Sequence, residues 1–373
     1  MRISRITLFS VPVRIGMELT RYVTSQSIDP ALDLLVVKIE TNGGLVGWGE
    51  VVSAPPYFLP ELSAGAREGI RHVSPVVLGR DPRQVTAIFQ DISAALRGHG
   101  NAKTALEMAL WDLAAKAHNV ALVDLWGGRI SKSLPIYSLI RIGTREQTLA
   151  ALEAERARGV SRFQIKVGAG EPPEDVTTIR MVQEMALPHE RVWYDPNRAW
   201  LVDDAMRIIS AVRHLSPMIE NPCETYEECR IVAKRTGVPF MLDEVIDSPR
   251  RFLEAVHDGV LDAATVKTSC IGGIEATREA ISLAKILRVP LRIDDYHGTG
   301  ILAACFTHLA HTLPRNLAFG LYDFVRDDIF PLVKNPLPVT AGEVRLPNDC
   351  GPGLGVEVDE TLLKAPVAVL EAP

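Results

Sequence analysis

The chain opens on alternating apolar and polar positions, with Ile3, Ile6 and Leu8 in the period-two pattern of a strand. Leu34-Leu35-Val36-Val37-Lys38-Ile39 predicts an apolar strand. Thr41-Asn42-Gly43-Gly44 is a hairpin turn signal, and Leu45-Val46-Gly47-Trp48-Gly49-Glu50 predicts the returning strand. From Ala102 to Asn119 the period becomes helical, with Leu106, Ala109, Leu110, Leu113 and Ala117 recurring at three and four residues. Gly127-Gly128 marks a boundary.

From about Leu134 short apolar strands alternate with amphipathic helices. Strands are expected at Phe163–Val167, Val192–Asp195, Met218–Glu220, Phe240–Asp243, Ala264–Lys267 and Leu291–Asp294. Helix starts are expected at Asp203 as an N-cap, at the capping box Thr225-x-x-Glu228, and at Ser248 followed by Pro249. Repeated βα units predict a parallel α/β fold. No Gly-rich turn follows a first strand, so a barrel is preferred to a dinucleotide-binding sheet. After about Val325 the helices stop. The pattern divides the chain into an α+β segment over 1–128, a barrel over 129–325, and a segment over 326–373 rich in Pro and Gly that is expected to return to the first.

Hydrophobic residues make up 47% and charged residues 23%, which excludes a disordered chain. Lys and Arg number 40 against 46 Asp and Glu, a formal charge of −6, so there is no electrostatic footprint for nucleic acid. No apolar run approaches the roughly 20 residues of a membrane helix. Five scattered cysteines without C-x-x-C spacing predict reduced thiols, a cytoplasmic setting and no zinc site. Cys270 and Cys305 read as small buried hydrophobes, and His308 and His311, on a predicted helix, as structural.

The strands end in Lys166, Asp195, Glu220, Asp243, Lys267 and Asp294, at spacings of 29, 25, 23, 24 and 27 residues. In an eight-stranded α/β barrel such positions converge on one mouth, where the active site lies. Three carboxylates in a closed site repel one another unless a cation joins them, and an all-oxygen set suits Mg²⁺. A lysine beside that cation is expected to have its pKa lowered and to act as a base, with a second lysine serving the opposite face of a planar enediolate. The chemistry expected is proton abstraction next to a carboxylate, with a small-molecule carboxylate as substrate.

These residues resemble those of the enolase superfamily, within the muconate lactonizing enzyme subgroup of the mandelate racemase/muconate lactonizing enzyme group. The likeness covers nearly the whole chain. GLVGWGE (44–50) and AKTALEMALWDLAAKAHNVALVDLWGG (102–128) are similar to the capping-domain signatures. QIKVG (164–168) resembles the second-strand K-x-K segment. YDPNRAW (194–200), IENP (219–222) and LDE (242–244) resemble the metal-ligand segments, and VKTSCIGGI (266–274) the sixth-strand lysine segment. The resemblance implies a modified TIM barrel, (β/α)7β, with an α+β capping domain. It implies Mg²⁺ on Asp195, Glu220 and Asp243, and Lys166 and Lys267 as the acid/base pair. Asn197 and Glu244 would orient them. It also implies a symmetric homo-oligomer, a dimer or an octamer. Three positions depart from the pattern. Gln164 stands where many relatives have lysine, Asn221 where Gln is commoner, and Asp294-Asp295 where lactonizing enzymes and dipeptide epimerases have Glu. Q-x-K with Asp-Asp resembles a branch acting on proline betaines and hydroxyprolines.

In this family, specificity comes from capping loops, here 14–30 with Tyr22 and 51–60 with Tyr57 and Phe58. Aromatic faces near Asp294 or Asp295 suit a cationic ammonium group, and Tyr296, Phe319 and Tyr322 would complete the cage. His297 would be a second acid, a substrate donor or a capped loop histidine. The activity expected is a racemase or epimerase of an amino-acid-like carboxylate. A dehydratase or cycloisomerase using the same site, and a barrel that binds without turnover, are the alternatives.

Overall fold

The computed structural model describes residues 1–13, 32–52, 61–323 and 332–372. The N-terminal part is an antiparallel sheet with helices against it. Its strands are β1 (Ile3–Val13), β2 (Leu32–Thr41) and β3 (Val46–Val52), followed by α1 (Ser63–Val77), α2 (Val85–Ala95), α3 (Gly100–His118) and the single turn α4 (Leu122–Leu125). The predicted turn closes with the Gly44 N–H donating to the Thr41 carbonyl.

A closed barrel follows. Strands β4 (Leu134–Ile140), β5 (Arg162–Lys166), β6 (Arg191–Asp195), β7 (Met218–Glu220), β8 (Phe240–Leu242), β9 (Ala263–Lys267), β10 (Leu291–Asp294) and β11 (Ala318–Tyr322) pair in parallel in that order. Pairing of Leu321 and Tyr322 with Ile136 and Tyr137 closes the ring. Between them run α5 (Arg145–Ala157), α6 (Pro172–Met185), α7 (Val202–Val212), α8 (Tyr226–Thr236) and α9 (Pro249–Asp258). The short α10 (Thr268–Ile271) leads into α11 (Ile274–Leu287), and α12 (Gly300–His311) precedes the last strand. This is the (β/α)7β arrangement. A hairpin, β12 (Val339–Thr340) and β13 (Glu343–Val344), adds to β4, and β14 (Ala368–Glu371) pairs antiparallel with β1. The residues around 325, where the helices were expected to stop, lie outside the described residues.

The caps explain where the helices begin. Thr225 and Glu228 form the reciprocal capping box of α8, and Ser248 accepts from the Arg251 N–H ahead of Pro249. Asp203 is not an N-cap. The helix starts one residue earlier, at Val202, and Asp203 lies in its first turn, paired with Arg207 at 2.5 Å. A carboxylate there favours the positive helix end without capping it.

Buried acids fasten the N-terminal part to the barrel. Glu107 on α3 accepts from the N–H groups of Ile274 and Glu275, capping α11 at 2.6 and 2.9 Å. Gly273 makes this possible: its φ is +121°, and a Cβ there would lie 2.4 Å from the Glu107 carboxylate. Asp112 ties α3 instead to β3 and to the C-terminal segment, accepting from the N–H groups of Trp48 and Leu354, both at 2.9 Å. No helix among the described residues is long and apolar enough to cross a membrane, and all five cysteines are free.

Candidate active site

Lys166, Asp195, Glu220, Lys267 and Asp294 are the last residues of β5, β6, β7, β9 and β10, and Asp243 follows β8 directly. All six are buried. In the register Lys166 lies beside Asp195, and Lys267 beside Asp294. β5 and β9 are four places apart in a ring of eight, so the two lysines rise from opposite walls with the three acids on the strands between.

Each lysine is held by oxygens. Lys166 Nζ donates to Asp195 Oδ2 at 2.5 Å and Asn197 Oδ1 at 2.8 Å, and Lys267 Nζ to Asp243 Oδ2 at 2.5 Å and Glu244 Oε1 at 2.6 Å. Asn197 and Asn221 reach these places through left-handed backbone, φ 48° and 37°, which asparagine tolerates better than most residues. The short amide of Asn221 then accepts from the Asp243 N–H and donates to Glu244, both at 3.3 Å. Gln164, one layer below Lys166, donates to Asp195 at 3.1 Å and Glu220 at 2.7 Å.

Residues missed at the sequence level lie in the same lower layer. Arg292 Nη2 is 2.5 Å from Glu220 Oε1 and 3.4 Å from Asp243 Oδ2, and its Nε is 3.3 Å from Asp294. Trp193 Nε1 donates to Glu220 Oε2 at 2.7 Å, and the Tyr137 hydroxyl to Asp294 at 2.6 Å. The available signal was alternation along the strand, which points every residue two places before a strand end into the barrel.

Burial drives the electrostatics. It pushes Asp195 up to about 6, with Glu220 and Glu244 adding and Lys166 opposing. It raises Asp243 well above the carboxylate range, again with acidic neighbours adding. Burial also works against ionisation of Glu244, but Lys267 and Arg198 hold that carboxyl down at about 2. Lys267 is held by its acids. Burial lowers its pKa, yet Asp243 and Glu244 outweigh this and hold it well above the ordinary lysine value. This lysine gives up its proton only where the charge of those acids is compensated in another way.

Asp195, Glu220, Asp243, Glu244 and Asp294 form one contact network with Lys166, Lys267 and Arg292. Five carboxyl groups meet three cations in direct contact, with Arg198 acting on Glu244 from further out, so acidic groups are in excess. Asp243 Oδ1 is buried without a hydrogen-bond partner. An all-oxygen donor set, an excess of carboxyl groups over cations and an orphaned carboxylate oxygen fit a hard divalent cation. As the side chains stand, no three His, Cys, Asp or Glu among the described residues surround a common point, because Glu220 is turned down toward Gln164, Trp193 and Arg292.

The expected substrate residues separate. Tyr296 lies over the site, its ring centroid 4.7 Å from Lys267 Nζ and its hydroxyl 3.5 Å from Cys270 Sγ. His297 and Tyr322 meet edge to face at 6.3 Å. Phe319 does not belong to a cage at the mouth. It is the second residue of β11, packed on Trp193 under the Arg191 guanidinium at the opposite end of the barrel. Nor does Asp295 face a ligand, because Ser269 N–H and Oγ–H and the Tyr296 N–H take its oxygens. Asp294 is engaged by Tyr137 and Arg292. Tyr22, Tyr57 and Phe58 lie outside the described residues. His308 accepts the Val123 N–H and faces the Leu354 carbonyl, and burial pushes its pKa down to about 3, as suits a neutral structural histidine. A cavity of about 280 Å³ opens beside Lys166, rimmed by Gly143, Gly170 and Glu174.

Two family models match the chain. The mandelate racemase/muconate lactonizing enzyme N-terminal domain covers residues 10–127, and the enolase C-terminal domain-like model covers 147–362. The chain belongs to the mandelate racemase/muconate lactonizing enzyme group of the enolase superfamily. It is 32% identical over 371 residues to cis-3-hydroxy-L-proline dehydratase of Roseibium aggregatum, covering 99% of each chain. It is 30% identical over 335 residues to chloromuconate cycloisomerase of Delftia acidovorans, covering 86% of this chain and 87% of that one. A member of the enolase superfamily from Roseovarius nubinhibens ISM, solved in complex with magnesium, superposes with a TM-score of 0.92 at 29% identity over the full length of both chains. The chain is thus an enolase-superfamily enzyme, of the isomerase or lyase kind.

Proposed function

We propose that the enzyme removes the proton α to the carboxylate of a small amino-acid-like acid with the help of Mg²⁺, and that its reaction is the dehydration of a hydroxylated proline. The observation that carries the first part is the pair of lysines on opposite barrel walls with three acids between them. Asp195, Glu220 and Asp243 would hold the ion. When bound, it supplies positive charge opposite the substrate carboxylate.

Stereochemistry supports the second part. In cis-3-hydroxy-L-proline, on which the Roseibium relative is named as acting, the hydroxyl lies on the carboxylate side of the ring and the α-hydrogen on the other. Their loss is an anti elimination. A neutral lysine on one wall takes the α-proton. The ammonium of the lysine opposite gives its proton to the departing hydroxyl, which leaves as water. The carbon–carbon double bond formed in the ring is that of an enamine, which tautomerises to a cyclic imine. Racemisation is the second reading, favoured by the same opposition: with no β-hydroxyl to lose, the opposite lysine returns its proton to the α-carbon.

NMR in D₂O with Mg²⁺ and cis-3-hydroxy-L-proline, trans-3-hydroxy-L-proline, L-proline and proline betaine separates these outcomes. Water loss from the cis isomer, and none from the trans isomer, is expected. α-Deuteration with inversion of a substrate without a hydroxyl, and no elimination, would establish the racemase instead. No exchange at any α-carbon would overturn α-proton abstraction for these acids.

A further inference from the structure

The guanidinium of Arg292 lies under the acidic trio with no role in proton transfer. It is 1% exposed, and its strand neighbours alternate so that it shares the inner face of β10 with Asp294. Its Nη1 and Nη2 donate to both oxygens of Glu220, at 3.2 and 2.5 Å, and Nη2 is 3.4 Å from Asp243. The rings of Tyr137 and Trp193 lie 4.8 and 5.7 Å from its central carbon. An arginine so enclosed cannot discharge by losing a proton.

We propose that Arg292 is a resident counter-ion of the metal site. It shares Glu220 and Asp243 with the divalent cation, so that the chain folds without the ion and binds it reversibly rather than irretrievably. The inference rests on the reading of Asp195, Glu220 and Asp243 as ion ligands. Without the guanidinium, only Lys166 and Lys267 would remain in contact with the five carboxyl groups, and Glu220 would lose its cation. A chain with that deficit in a dry barrel would need its ion to fold. With Arg292 present, an entering ion would share Glu220 and Asp243 with a like charge, and its affinity would be lower for it. Arg292 is therefore a positioning and charge-balancing residue, not a catalytic one.

Titration calorimetry with Mn²⁺ alone, no substrate present, tests this on wild type, R292K and R292Q, beside thermal melts with and without the ion. R292Q keeps a donor for Glu220 but loses the charge. It is expected to bind Mn²⁺ about tenfold tighter or more and to melt lower than wild type without the ion, with the deficit closing at saturation. R292K keeps the charge and is expected to stay within about threefold of wild type. Should R292Q fail to fold alone, folding rescued by Mn²⁺ supports the proposal, and failure with and without Mn²⁺ overturns it in favour of a packing role. Unchanged or weaker binding by R292Q also overturns it. If wild type itself binds no Mn²⁺ or Mg²⁺, the ion-site reading fails and this inference falls with it. A wild type that binds while R292Q does not tighten sinks this inference alone.

Discussion

Glu50 and Thr299 join the capping sheet to the barrel through two hydrogen bonds to one buried carboxylate. The Thr299 N–H donates to Oε1 and its hydroxyl to Oε2, each at 2.5 Å. Glu50 ends the Gly-Trp-Gly-Glu segment of β3, and Thr299 is the N-cap of α12. Burial pushes the Glu50 carboxyl up to about 7, with the Thr299 bonds opposing. A folded value above the ordinary glutamate value of 4.5 means that the folded state holds its proton to higher pH than the unfolded state does. Glu50 therefore costs stability as pH rises from about 4.5 through about 7. Glu50→Gln removes that titration and keeps an acceptor for the Thr299 N–H. The melting temperature of wild type minus that of E50Q is expected to fall across this window. A difference flat with pH would show that Glu50 does not titrate there.

Lys166 and Lys267 stand on opposite walls, so their loss should be distinguishable by stereochemistry. Lys166→Ala and Lys267→Ala are each expected to lower turnover about 10²–10⁴-fold, the usual contribution of a positioned acid or base. On a racemisable substrate in D₂O, each variant should keep exchange with one enantiomer and lose it with the other. Equal exchange of both enantiomers by both variants would refute the assignment.

The convergence of Lys166, Asp195, Glu220, Asp243, Lys267 and Asp294 was legible because six successive strands, β5 to β10, each end at an ionisable residue at near-constant spacing. The layer below was not, although the same rule contains it. Stepping back two residues from Lys166, Asp195, Asp243, Lys267 and Asp294 gives Gln164, Trp193, Met241, Thr265 and Arg292. These fill the barrel interior, and Gln164, Trp193, Thr265 and Arg292 all bond Glu220. Phe319 was misread for a related reason. No strand is assigned over Ala318–Tyr322 from the pattern, so nothing in the sequence reading fixes that Phe319 enters at the bottom while Tyr322 closes the top. Asp294-Asp295 drew attention as a pair, yet alternation sends adjacent residues to opposite faces of a strand. Asp294 points into the barrel, and Asp295 ties down Ser269 instead.

Removal of the ion should be reversible and should register in stability as well as rate. Chelation with EDTA is expected to abolish turnover, and Mg²⁺ to restore it. In the absence of substrate, Mg²⁺ at about a hundred times its Kd should stabilise the fold by about 2.7 kcal/mol, as any ligand of the native state does. Thermal melts over a Mg²⁺ series measure this. Full activity after exhaustive chelation would remove the ion from the mechanism.

Gly49 provides a test of the capping domain that leaves the chemistry untouched. β3 crosses α3 so closely that a Cβ on Gly49 would lie 2.0 Å from the Ala105 carbonyl oxygen and 2.7 Å from the Ala109 nitrogen. Both atoms are helix backbone, so no side chain can swing aside. Gly49→Ala must therefore push the strand off the helix, and the neighbouring Glu50 moves with it, loosening its grip on Thr299. Overpacking of this kind costs about 1–3 kcal/mol or more. G49A is expected to melt several degrees below wild type, whereas Gly79→Ala, with open space around its Cβ, carries only the strain of its φ of +77°. Equal losses from the two substitutions, compared by thermal melts at one pH, would mean that the strand–helix contact at Gly49 costs no more than the backbone strain at Gly79, and would sink the close-approach argument.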